Sequence, residues 1–368
     1  MELAGHCLVT AYDDVVAALA DTRLTEDRMH RFAERSPPDV VDAVRRHAAW
    51  LISPEGADYD WLRPLLHAGL RSAIGSDSDR AIAAAAGDLL DDLLERERFD
   101  VVGDYALALS GRVLADLLGV DPRDGVRLID WAQDLVAFFN DFDVDVATAD
   151  RMARSAARMA AYAQELVANR RGELHAGLLE MVARAAAERD HALDDEGLAQ
   201  LTLPFLSGEV GVAQLVANCV WLLLVHPDQR ERLSADPGLL AGAIGEALRC
   251  LPPASLAQRI ALERVVVGGQ VVEPGRIVLL DLAAANRDPV LFPDPDRFDI
   301  TRCQGGALGF GHGPHSCVGA RLARMQTATA LEALLRRAPD LELDRDFEVA
   351  WSPLAGLRAP DALYVRPN

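Results

Sequence analysis

The chain holds 368 residues, half of them apolar, at a formal net charge of −20; that is ample material for a large core and the wrong sign for a partner such as DNA or an anionic membrane. Apart from histidine its basic side chains are all arginines, which excludes a lysine Schiff base for pyridoxal phosphate and the lysine of a phosphate-binding P-loop. Five scattered cysteines, with no Cys-x-x-Cys pair, argue against a disulfide scaffold or a zinc ribbon.

The opening residues, Met1-Glu2-Leu3-Ala4-Gly5-His6, are not basic and lead into no long apolar run, which predicts a cytoplasmic protein without a secretory leader. A short β signal at Cys7 to Thr10 comes first. Helical spacing or alanine-rich composition then marks Asp13 to Leu19, Val40 to Leu51, Asp79 to Glu97, Arg123 to Phe139, Ala147 to Arg171 and Leu178 to Glu188. The most apolar stretch, Leu201 to Val225, is interrupted by Pro204, Glu209, Gln214 and Asn218, so it reads as a buried core helix rather than a membrane span. Pro227 and Pro252 follow helical stretches, and Pro237 suits the first turn of a helix running to Cys250. Further β signals lie at Val265 to Val272, Ile277 to Leu280 and in the tail. Without a linker, repeat or low-complexity tract, the expectation is one domain over residues 1–368, mainly α with a small peripheral β-sheet.

The chemistry concentrates near the end, in Phe310-Gly311-His312-Gly313-Pro314-His315-Ser316-Cys317-Val318-Gly319. A periodic apolar stretch from Val318 to Leu335 predicts a helix starting just after the sulfur of Cys317, where backbone N–H groups can stabilise a thiolate. Gly313 and Gly319 permit close backbone approach to that sulfur. A thiolate in this setting reads as a ligand of haem iron, with Phe310 over its proximal side and His315 or Arg321 answering a haem propionate.

The string Phe-x-x-Gly-x-His-x-Cys-x-Gly resembles the cysteine-ligand loop of cytochromes P450, and other segments agree with it. Glu246-Ala247-Leu248-Arg249 is a Glu-x-x-Arg on a helical stretch, which alone reads as a surface ion pair. Followed by Ala284-Ala285-Asn286-Arg287-Asp288-Pro289 and Phe292-Pro293-Asp294-Pro295-Asp296-Arg297-Phe298, it matches the family's segment before the ligand loop. The resemblance implies a buried, fold-specifying network of Glu246, Arg249 and Arg297. It likewise implies that Arg259 and Arg63 bind the two haem propionates through charge-assisted hydrogen bonds. Tyr59 stands where family members often carry a histidine, and Gly311 and Gly319 complete the cofactor set. The match runs from about His6 onward, and the family's usual N-terminal helix and first strand are not found in the chain.

The central helix departs from the family pattern. Relatives normally carry Ala/Gly-Gly-x-Asp/Glu-Thr-Thr/Ser there, the acid and first alcohol relaying protons while dioxygen is cleaved. Ser207-Gly208-Glu209-Val210-Gly211-Val212 puts Val210 at the acid position and Gly211 at the alcohol position. Three readings compete: Glu209 replaces the acid through a helix bulge; substrate or ordered water relays the proton in the room left by Gly211; or the enzyme uses peroxide, or works by electron abstraction, coupling or nitrogen-group transfer. Glu209 as a merely structural or solvated carboxylate stands beside them.

By position in the family pattern, Phe205, Val210, Gly211, Ala254, Ser255, Leu256 and the turn Leu354-Ala355-Gly356 approach substrate, with Phe138 and Phe139 as part of a roof. The resemblance as a whole implies a soluble bacterial haem b oxidoreductase of monooxygenase type, acting on a small apolar or aromatic molecule of specialised metabolism. A ferredoxin-type electron donor is expected near Arg321 and Arg324. The substrate arrives free or on a carrier protein, and neither nucleic acid nor membrane is an expected partner. A non-catalytic haem-binding recruitment module is the remaining alternative.

Overall fold

A computed structural model describes residues 6–27, 38, 41–42, 57–74, 76–140, 145–169, 178–188, 195–302 and 305–367, some by backbone alone. The expected helix over Val40 to Leu51 falls almost wholly outside these residues, as do Cys303 and the side chains of Tyr59, Phe139 and Ser207.

Helices α1 (Tyr12–Ala20), α2 (Ala57–Ala73), α3 (Ser76–Leu93), α4 (Ala108–Leu118), α5 (Pro122–Asn140), α6 (Val146–Asn169) and α7 (Leu178–Ala187) precede the longest, α8 (Asp195–Val225). After it come α9 (Pro227–Ala235), α10 (Leu240–Cys250), the single turn α11 (Leu282–Ala285) and α12 (Ala320–Arg337). Helix α8 packs against α4, α5, α6, α7, α9, α10 and α12. A helix surrounded on all sides can be apolar all round, which explains its composition. Its segment Gly208–Val225 has the length and apolarity to cross a membrane, yet it is mostly buried within the protein core.

Two layers of core meet on α8. One cluster includes Leu215, Val216, Val220 and Leu223 of α8 with Ala247 and Leu248 of α10 and Leu331 and Leu334 of α12. The other gathers Phe205 and Val210 of α8 with Leu128, Leu135, Met152 and Met159 of α5 and α6. Helices α4 and α5 cross at Gly111 and Gly125, where a Cβ on Gly125 would collide with the Gly111 carbonyl oxygen.

The strands are short and peripheral. The largest sheet has the order β1 (Cys7–Val9), β7 (Ile277–Asp281), β4 (Leu256–Ala261), β2 (Leu24–Thr25), with only the β1–β7 pair parallel. A hairpin joins β5 (Val265–Val267) to β6 (Gln270–Val272), splitting the single β signal expected there. Near the end of the chain, β11 (Tyr364–Arg366) lies between β3 (Phe99–Asp100) and β8 (Glu342–Leu343), antiparallel to both, and β9 (Ala350–Trp351) pairs with β10 (Pro360–Ala362). A π-helix over Val101–Leu107 links β3 to α4, its first turn capped by the Asp100 carboxylate on the N–H groups of Val102 and Gly103.

One expectation fails in the charge network. Glu246 and Arg249, both 1% exposed, form a two-pronged pair with 2.8 Å contacts. The third member is Arg302, whose Nε lies 3.0 Å from Glu246 Oε1. Arg297 is exposed and contributes only its carbonyl, which accepts from Arg249 and Arg302. A turn from Asp294, at φ 49°, to Arg297 points this backbone inward and turns the side chain out. The carbonyls of Asn286 and Pro295 take the other Arg249 nitrogen, so the cation is surrounded by acceptors.

Candidate active site

The ligand loop is held from both ends. Leu308 N–H donates to Asn286 Oδ1 at 2.7 Å, and Asn286, fully buried, donates in turn to the Leu248 carbonyl of α10. Gly311 N–H bonds the Leu308 carbonyl and Cys317 N–H bonds the Phe310 carbonyl, closing the loop on itself. Gly313, at φ 74°, passes the backbone of Leu19 and Ala20 so closely that a Cβ would sit 3.0 Å from the Leu19 carbonyl oxygen. Helix α12 begins at Ala320, as expected from the periodicity.

Cys317 Sγ faces a cavity of about 410 Å³. The sulfur is open to that cavity while protein surrounds it elsewhere, so burial pushes the thiol up. Opposing that shift are the N–H groups of Gly319 and Ala320 and the charge of Arg63. These groups do not outweigh desolvation; a bound metal ion would supply the remaining stabilisation of a thiolate.

Around the rim stand the residues expected to answer carboxylates. Arg259 is 3% exposed on β4 and lines the cavity, as does His315. Arg63 of α2 donates to the Ser316 carbonyl at 2.8 Å and to Ser316 Oγ at 2.9 Å, so it braces the ligand loop directly. Phe310 lines the cavity and carries the Arg324 guanidinium 4.9 Å over its ring. The Tyr59 side chain lies outside the described residues. Sequence reasoning missed Glu26, which lines the cavity with one carboxylate oxygen 2.6 Å from Arg259 Nη1 and the other 3.5 Å from His315 Nδ1.

A thiol facing an apolar cavity between the ligand loop and α8, with two arginines and a histidine around it, fits a haem with its two carboxylates. Cys317 would hold the iron, and Arg259, His315 and Arg63 would serve the propionates.

Helix α8 supplies the opposite wall through Gly208, Gly211, Val212, Gln214 and Leu215. A Cβ built on Gly208 or Gly211 meets nothing within 4 Å, so this face is open. Val210 is turned away: it is buried among α5 and α6 and is absent from the cavity wall. The helix is regular here, without the bulge that would bring Glu209 into the acid position. Glu209, 4% exposed, borders the cavity but is anchored sideways, accepting from Gln326 Nε2 at 3.1 Å. Its Oε2 is buried without a protein partner, and burial pushes the carboxyl up to about 7.

Of the other expected pocket residues, Phe205, Leu256 and Ala254 line the cavity. Ser255 and Ala355 do not: Ser255 turns back to donate to the Ala355 carbonyl at 3.4 Å, and Leu357 takes the wall position of that turn. Alternation along this extended segment puts Ser255 on the opposite side from its two lining neighbours. Phe138 is buried in the core beside α6 and is not part of the wall. Asn140 and Gln214 add polar groups that sequence reasoning left out.

Comparison with known proteins agrees with this geometry. Residues 128–338 match the family model described as Cytochrome P450. The chain is 34% identical to cytochrome P450 107B1 of Saccharopolyspora erythraea, over 98% of this chain and 89% of the relative. The chain belongs to the cytochrome P450 family.

This cytochrome P450 is also 32% identical to 6-deoxyerythronolide B hydroxylase of the same organism, over 98% of its own length and 89% of the relative. Among solved structures it resembles P450BioI in complex with an acyl carrier protein bearing hexadec-9Z-enoic acid, with a TM-score of 0.86 at 28% identity, covering 98% of this chain and 91% of the other. It is a haem-thiolate oxidoreductase of the monooxygenase type, and its mainly helical architecture with small peripheral sheets is that of the family.

Proposed function

We propose that this cytochrome P450 oxidises a small, neutral, largely apolar molecule of bacterial specialised metabolism, using haem b whose iron Cys317 would hold. The observation that carries the reading is a single cavity joining the Cys317 sulfur to the bare glycine face of α8. When bound there, haem supplies the one-electron and dioxygen chemistry.

The chain's own residues divide the remaining work. Arg259, His315 and Arg63 would bind the propionates, and Phe310 would pack beside the Cys317 loop. Leu70, Leu114, Val136, Phe205, Leu256 and Leu357 form apolar walls, which exclude water and favour an apolar substrate. The carboxamides of Asn140 and Gln214 offer neutral hydrogen bonds, suited to a carbonyl or hydroxyl on that substrate. Neither Val210 nor Gly211 can pass a proton. The space beside Gly211 supports delivery by a substrate hydroxyl or amine, or by ordered water held there.

A ferredoxin-type donor would dock near the exposed Arg321 and Arg324. Similarity to 6-deoxyerythronolide B hydroxylase supports a role in specialised metabolism. Similarity to P450BioI, solved with a carrier protein, supports a carrier-borne substrate as well as a free one.

The test is spectroscopic. The reduced carbon monoxide complex of wild-type protein should show the thiolate-type Soret band, and Cys317→Ala should lose it. An unchanged band in that variant rejects the reading. A second reading, a peroxide-driven enzyme, is favoured by the missing acid and alcohol. Turnover with peroxide and no redox partner, on any substrate found by spin-shift screening, would establish it.

A further inference from the structure

Glu26 has no role in the family pattern traced above, yet it occupies the cavity rim. Strand β2 sets Leu24 opposite Ala261 and Thr25 opposite Ile260. One further step along that antiparallel register brings Glu26 against Arg259. The side chains meet at 2.6 Å, and the second carboxylate oxygen stands 3.5 Å from His315 Nδ1. Arg259 also donates from Nη1 to the Gln258 carbonyl at 2.9 Å, which fixes one prong of its guanidinium.

The geometry points to Glu26 as a positioning residue of the haem propionate site, holding Arg259 and His315 on the cofactor edge and placing a carboxylate beside it. The inference rests on the haem reading of this cavity. Arg259 is nearly inaccessible to solvent, so its orientation is decided by the acceptors around it rather than by water. A planar guanidinium has five N–H donors in fixed directions, enough to serve Glu26, a backbone carbonyl and a propionate together. Glu26 itself is partly solvated, its side chain 28% exposed. A negative charge near a metal centre favours the oxidised state, because adding an electron there is opposed electrostatically.

The experiment compares wild type, Glu26→Gln, Glu26→Asp and Glu26→Ala in the haem-loaded protein. First, the reduced carbon monoxide spectrum of the wild type checks the thiolate ligand. Its absence would overturn the haem reading itself, and this inference with it. With that spectrum normal, spectroelectrochemical titration should place the ferric/ferrous midpoint of Glu26→Gln above wild type, with Glu26→Asp returning toward it. Haem transfer to excess apomyoglobin should quicken several-fold in Glu26→Ala, where Arg259 loses its orienting acceptor, and less in Glu26→Gln, whose amide oxygen still accepts. A merely structural Glu26 could alter stability but would not give this charge-ordered shift. An unmoved midpoint in Glu26→Gln overturns the proposal, whatever Glu26→Ala does.

Discussion

Arg302 Nε lies 3.0 Å from Glu246 Oε1, closing from the loop side a carboxylate that Arg249 already grips from within its own helix. The pair joins α10 to the segment leading into the ligand loop. Arg302 also donates to the carbonyls of Pro293, Asp294 and Arg297, so its removal orphans several acceptors at once. Arg302→Ala should cost about 1.5–3 kcal/mol, the range for a lost charge-assisted hydrogen bond. Arg297→Ala, on an exposed side chain, should stay within about 0.5 kcal/mol. Urea melts of both variants check the order, which would reverse if Arg297 were the true partner.

Glu209 makes stability depend on pH. Its carboxyl has an ordinary value of 4.5 and is held up to about 7 by burial in the fold. Between those values the unfolded chain releases the proton and the folded one keeps it, so stability falls as pH rises through the window and levels off above it. Glu209→Gln keeps a neutral hydrogen-bonding group and escapes this loss. The variant should match wild type at pH 4 and exceed it at pH 8 by about 3 kcal/mol, from roughly 1.4 kcal/mol per unit. Thermal melts across that range are the measurement.

Two glycines should respond oppositely to alanine. Gly211→Ala adds a methyl into open space within a helix and should stabilise by about 0.5–1 kcal/mol. Gly125→Ala drives a methyl into the Gly111 carbonyl, forcing α4 and α5 apart, and should cost about 1–3 kcal/mol as an overpacked contact. Calorimetry of the pair would show shifts of opposite sign.

Arg63 and Ser316 give a graded test. Ser316→Ala removes one acceptor and leaves the carbonyl bond, so its effect should stay near 0.5–1.5 kcal/mol, as for an ordinary hydrogen bond. Arg63→Leu removes both bonds and the positive charge beside the loop. Haem release from Arg63→Leu should be several-fold faster than from Ser316→Ala, measured by transfer to apomyoglobin.

Much of this was legible in the residues. The ligand loop and the start of α12 follow from a dense local motif and a clean helical period. That neither Val210 nor Gly211 carries an acid or alcohol is plain from the residues, but which of the two faces the cavity is not, and of the pair only Gly211 lines it. What stayed hidden depends on backbone geometry between elements. Arg302 displaces Arg297 because a loop without periodicity chose which side chain turns inward. Glu26 acquires its place from pairing with a strand more than two hundred residues away. Strand β4 escaped because Gln258 and Arg259 are polar yet buried, against the pattern of a half-buried strand. The π-helix over Val101–Leu107 and helix α4 after it were not among the expected helices.

The bare face of α8 has a consequence for how new substrate scope could arise. Most of this helix is wedged between neighbours, where enlarging a side chain would strain the whole molecule. Among the described glycines of this helix, Gly208 and Gly211 combine a place on the wall with free volume above the backbone. Successive substitutions at these two sites could resize the chamber while leaving the scaffold undisturbed, making them the natural dials for diversification.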